Sequence, residues 1–202
     1  MKPQFSTLIV LTLVCAVLLV PFALSPMYLD VLRDRSFDLH QFLRGEVYKQ
    51  GTGFAALVLI AIEMLLSLRK RSRSLPIKVK VPGAVMLWRT IHIFTGVALL
   101  AFVLLHTVGA SGLNFNAILL WIFFGVTLTA LVGVVAETGI LESPRKVFSF
   151  SGQKVVEGEA VGMGKGALIR KMRGVWLPSH ILLVSIFGLM LAFHIFLVYY
   201  FR

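Results

Sequence analysis

Five blocks of this chain are apolar enough to cross a hydrocarbon core, and no other feature of the sequence constrains its fold so far. They run from about 5 to 24, 52 to 68, 85 to 110, 115 to 136 and 176 to 201. A membrane helix needs roughly 20 predominantly apolar residues. In lipid only helices and closed barrels satisfy their backbone hydrogen bonds internally, and blocks without two-residue alternation predict helices. The expected fold is all-α, a single membrane domain over residues 1–202 built as a bundle of five transmembrane helices. Composition agrees, with 58% of residues hydrophobic and 14% charged, against about 45–50% and about 25% in soluble domains.

The first block follows Lys2, and Ala23-Leu24-Ser25 has the small-x-small form of a signal-peptide cleavage site. Pro26 would follow the cut, so the block reads as a retained helix. A net charge of +11 would also suit nucleic acid, but the basic residues cluster beside the apolar blocks, where orientation signals belong. The expected partner is membrane lipid, with no nucleic acid. Arg69, Lys70, Arg71, Arg73, Lys78 and Lys80 fill one loop, and Arg145, Lys146, Lys154, Lys165, Arg170, Lys171 and Arg173 fill the segment 137–175. The link Ser111-Gly112-Leu113-Asn114 has no basic residue, and charges in 27–51 balance. Both basic loops are therefore expected in the cytoplasm, with the N-terminus inside and the C-terminus outside. The chain would be a multi-pass protein of a bacterial cytoplasmic membrane, its third and fifth helices parallel.

Four of the five histidines fall on those two helices, His92 and His106 on one, His180 and His194 on the other. Each pair is separated by fourteen residues, which returns a helical side chain to within about 40° of the same face after a rise of about 21 Å. On parallel helices His92 can meet His180, and His106 can meet His194. An iron porphyrin between each pair would use both imidazole lone pairs and fill the gap with apolar ring. Trp88 and Trp176 each lie four residues before a histidine, so the pattern W-x3-H-x13-H occurs twice. The expectation is two haem b groups at two depths. The competing reading of one intramembrane histidine is a packing residue or proton-relay member, since ionisable groups in lipid mark function of several kinds. A di-metal site would want carboxylates one turn from the histidines, and neither helix supplies them. Cys15 is the single cysteine, which excludes an intrachain disulfide, a Cys-only metal site and covalent haem attachment through C-x-x-C-H.

Around the histidines, Arg89 is placed to reach a haem propionate or to anchor the helix at the interface, with Lys171 and Arg173 as further propionate candidates. Gly96 and Gly188 would admit a flat macrocycle or serve helix packing. Glu63, the acid well inside a helix, is a candidate proton acceptor for a membrane quinol, and His40 a second one or a surface residue. Within 137–175, Lys165 to Arg173 reads as a short basic amphipathic helix on the membrane surface, and the loop as a docking site for an electron-transfer subunit. The run Gly162-x-Gly164-x-Gly166 lacks the context of a nucleotide loop.

Paired H-x13-H helices resemble the di-haem transmembrane cytochromes b. The cytochrome b of quinol:cytochrome c oxidoreductases is similar in its double fourteen-residue spacing. The ferric reductase and NADPH oxidase membrane domains are similar in layout, with ligands on the third and fifth helices. The likeness covers roughly residues 85–202 and is carried by the four histidines. Those reductases add a sixth helix and a flavin domain that these residues lack, so the resemblance implies an electron donor or acceptor on another subunit. In size and helix count the chain also resembles the five-helix cytochrome b anchors of nitrate reductase and fumarate reductase. The implied role is the membrane subunit of an oxidoreductase complex, passing electrons between quinone and a partner. The alternatives are a stand-alone ferric or oxygen reductase and a histidine-relay, proton-coupled transporter.

Overall fold

The structure, a computed structural model, describes residues 3–71, 82–110, 112–148 and 162–201. Ser111 and the basic residues Arg73, Lys78, Lys80 and Lys154 of the orientation argument lie outside the described residues. The elements are α1 (Phe5–Ala23), α2 (Ser25–Arg35), α3 (Phe37–Arg44), α4 (Glu46–Arg71), α5 (Val85–Thr107), α6 (Phe115–Glu142), β1 (Val147–Phe148), β2 (Met163–Gly164) and α7 (Lys165–Tyr200). Among them α1, α4, α5, α6 and α7 are long and apolar enough to cross a membrane. β1 and β2 pair antiparallel, with Val147 opposite Gly164 and Phe148 opposite Met163.

Three boundaries differ from the sequence expectation, for one reason: hydropathy marks where lipid is tolerated, whereas a helix ends where its hydrogen-bond ladder ends. The polar stretch 27–51 is helical, as α2, α3 and the first turns of α4. Pro26 sits in the first turn of α2, where a missing N–H costs nothing. α6 continues past 136 to Glu142, and its polar residues Glu137 and Thr138 are each only 2% exposed. α7 starts at Lys165, so the surface helix expected over 165–173 and the spanning helix after it are one 36-residue rod. Pro178 lies inside it and removes one backbone donor without ending it. Lys165 Nζ donates to the carbonyls of Leu141 and Ser143, which fixes the start of α7 beside the end of α6.

The chain divides into two compact units, residues 1–3 with 10–117 and residues 4–9 with 118–202. In the first, α4 and α5 run antiparallel, since Thr52 meets His106 and Glu63 meets His92. The far end of α5 is closed by side chains. The last four carbonyls of any helix lack intrahelical donors; here Tyr48 donates to Leu105 O at 3.0 Å and Lys49 Nζ to His106 O. Beyond the helix, Tyr28 donates to Val108 O and Ser25 to Ala110 O. Val108 has φ 62°, a left-handed conformation that costs a β-branched residue about 1–2 kcal/mol, and these donors hold it there. Gly109 follows at φ 144°; a Cβ on it would lie 2.7 Å from the Tyr28 hydroxyl and 2.8 Å from Ser25 Cβ, so only glycine fits.

In the second unit α6 and α7 pack antiparallel through residues of α7 spaced alternately three and four apart: Arg173, Trp176, His180, Leu183 and Phe187. That spacing lines one side of a helix. Arg173 pairs with Glu137, Trp176 with Thr129, His180 with Thr129, and the Phe187 ring lies 5.4 Å from that of Phe123. Leu183 covers Gly125. The Trp176 indole occupies the space that a side chain at 133 would fill, so Gly133 is a slot for that ring.

Two glycine substitutions on this hairpin should therefore move stability in opposite directions. Gly133→Ala forces its methyl into the Trp176 ring and should lower the thermal midpoint in detergent, since overpacking costs about 1–3 kcal/mol. Gly174→Ala meets nothing within 4 Å and should raise it, by about 0.5–1 kcal/mol from helix propensity.

Candidate functional site

Polar side chains are sparse on the long apolar helices, and three of the four predicted histidines meet one on the neighbouring helix of their own unit. Thr52 on α4 sits 3.1 Å from His106 Nδ1. Thr129 on α6 sits 3.2 Å from His180 Nδ1. The Glu63 carboxylate on α4 contacts His92 Nδ1. In every case the atom held is Nδ1.

The direction of these hydrogen bonds follows from counting protons. A threonine hydroxyl has one proton and two lone pairs. The Thr52 hydroxyl donates to its own helix, to Tyr48 O at 2.7 Å. The Thr129 hydroxyl does the same to Gly125 O, also at 2.7 Å. With that proton committed to the backbone each hydroxyl is an acceptor toward the imidazole, and Nδ1 carries the hydrogen. The Glu63 side chain lies against the same edge of the His92 ring. The lone pairs of His106 and His180 then reside on Nε2, and the hydrogen bond at Nδ1 fixes the orientation of each of those two rings. This is the arrangement in which histidine ligates metals.

Each imidazole has further support. A Cβ on Gly53 would lie 3.1 Å from His106 Cε1, so this glycine lets the ring rest against the α4 backbone. Lys49 fixes the His106 carbonyl. Below His180, Trp176 Nε1 donates to the Thr129 carbonyl at 2.6 Å, so Thr129 is held from both its backbone and its hydroxyl. Two turns before His180, Arg173 grips Glu137 with both ends of its guanidinium, at 3.1 and 2.5 Å.

His194 is half-buried on α7; the register that joins His180 to Thr129 carries it level with the first turns of α6. Arg89 is half-buried one turn before His92. Arg173, a propionate candidate from sequence, is engaged by Glu137. Lys171 is exposed on α7, and His40 is half-buried on α3. Glu63 is 7% exposed and lies against His92. A Cβ on Gly96 would stand 3.9 Å from Glu63 Oε1, an ordinary contact that does not require glycine. Around Gly188 nothing lies within 4 Å. Among the described residues, no three of His, Cys, Asp and Glu gather into a metal-holding cluster.

Thr52, Thr129 and Gly53 were not anticipated from sequence. A faint signal exists for one of them. Thr52 and Glu63 are eleven residues apart, about three helical turns, and so share a face of α4. No protein-family model, curated protein or solved structure matches the chain, so the chemistry of the site rests on its own residues.

The Arg173–Glu137 pair should carry measurable stability. Removing one member of a buried pair costs about 3–5 kcal/mol. The Arg173 side chain is 50% exposed and partly screened, so Arg173→Ala should cost nearer 2 kcal/mol, read from thermal unfolding in detergent. Adding Glu137→Gln should recover most of that loss, because the uncompensated charge is then gone.

Proposed function

We propose that this chain is the membrane cytochrome b subunit of an oxidoreductase complex, binding two b-type haems through His92, His106, His180 and His194. The observation that supports it best is the shared orientation of the rings. Three imidazoles present Nδ1 to a polar side chain on a neighbouring helix, and the two that meet a threonine keep their lone pair on Nε2. A packing histidine needs no such uniformity, since either ring nitrogen can serve. The donor set fits haem, whose iron takes two axial imidazoles and is carried by residues that orient them. The matched fourteen-residue spacing supports His92 with His180 as one ligand pair and His106 with His194 as the other.

When bound, haem iron alternates between ferric and ferrous states and so carries one electron at a time. The protein supplies binding, orientation and electrostatics. Thr52, Thr129 and Glu63 hold the rings against rotation. The apolar surfaces of α5 and α7 keep water from the ligands. The basic segments support a cytoplasmic location for the loops before α5 and before α7, in a bacterial inner membrane, with quinone as one electron partner and a second subunit as the other.

A second reading is a proton-coupled transporter with histidine relays. The buried contact between Glu63 and His92 favours it, because such pairs in membranes also serve proton pathways.

Purified protein settles the choice. The haem reading requires a b-type reduced spectrum and two haems per chain by pyridine haemochrome. His106→Ala should remove one haem and leave the second spectrally present. A folded, colourless preparation that moves protons would favour the transporter instead.

A further inference from the structure

The acceptors behind the histidines are not equivalent. Thr52 and Thr129 offer neutral hydroxyls to His106 and His180, at 3.1 and 3.2 Å. His92 faces a carboxylate, Glu63, on a side chain 10% exposed and inside an apolar helix. The other carboxylate oxygen, Oε1, and His92 Nδ1 are both buried without a hydrogen bond of ordinary geometry, so Glu63 and His92 meet as a close contact of charge on imidazole. Near Arg69, Trp88 Nε1 and Arg69 Nη1 both donate to Pro82 O, at 2.7 and 3.1 Å.

We infer that Glu63 is a positioning residue that lowers the reduction potential of the haem held by His92, because its carboxylate lies against the Nδ1 edge of that ring, where Thr52 and Thr129 present hydroxyls to His106 and His180. This rests on the haem reading above. A carboxylate draws the Nδ1 proton toward itself and increases electron density at Nε2. Hydrogen-bonded partners of ligating histidines raise ligand basicity in this way. A more basic axial ligand favours the ferric over the ferrous iron, so the haem ligated by His92 has the lower reduction potential. A buried negative group beside it acts in the same direction, because low-dielectric surroundings screen it weakly.

Redox titration of the purified, haem-loaded chain tests this. Glu63→Gln retains an acceptor oxygen but loses the charge. It should make one haem easier to reduce by about tenfold in the equilibrium constant, about 59 mV for a single electron, and leave the other unmoved. Thr52→Val should shift the second haem and not the first. If the amide variant fails to fold, Glu63→Asp serves, because its shorter carboxylate withdraws from Nδ1 and should shift the same haem in the same direction. A general packing defect would disturb both haems or lower their occupancy. Two haems per chain with neither potential moved by these variants would overturn the role of Glu63 and leave the haem reading intact. Absence of haem from the unsubstituted protein would overturn the haem reading itself.

Discussion

A polar group buried among apolar side chains has no water to fall back on, and an unpaired one costs several kcal/mol. The placement of this chain's polar side chains follows from that penalty. Thr52 and Thr129 satisfy their own helices first and then accept from an imidazole. Arg173 meets Glu137, and Trp176 meets the Thr129 carbonyl. Each contact demands one depth and one face, so a few of them determine how far one helix slides and turns against its neighbour. Apolar packing sets no such register by itself, since lipid tails are as apolar as leucine.

The same device occurs in each unit. A threonine one helical turn after its backbone acceptor offers a lone pair to a histidine on the next helix, and a glycine nearby allows close approach. Gly53 serves the His106 ring and Gly133 the Trp176 indole. Threonine is suited to this position because its hydroxyl can bond the carbonyl four residues back without leaving the helix. Leucine would pack equally well there and would orient nothing.

The apolar blocks and the histidine spacing were legible because both are properties of one helix at a time. Hydropathy located the cores of α1, α4, α5, α6 and α7. It missed α2 and α3 and the polar ends of α6 and α7, because Asp, Arg and Lys are excluded from lipid but not from helices. Thr52, Thr129 and Gly53 were illegible for a different reason. An isolated threonine in an apolar run looks like one that bonds its own backbone. Its second role emerges only once the partner helix and its register are known. Arg173 shows the same limit: a basic residue before His180 is a propionate candidate in sequence, and its partner Glu137 emerges only when α6 lies opposite it.

The 36-residue length of α7 has a mechanical consequence. Seven residues separate Arg173 from His180, two helical turns, so both side chains leave the rod in nearly one direction. One residue of slippage would swing that direction by about 100° and carry the His180 imidazole off Thr129. The grip of Arg173 on Glu137 therefore works as a torsional stop. A twist applied at the polar end of the rod meets resistance there before it reaches the imidazole.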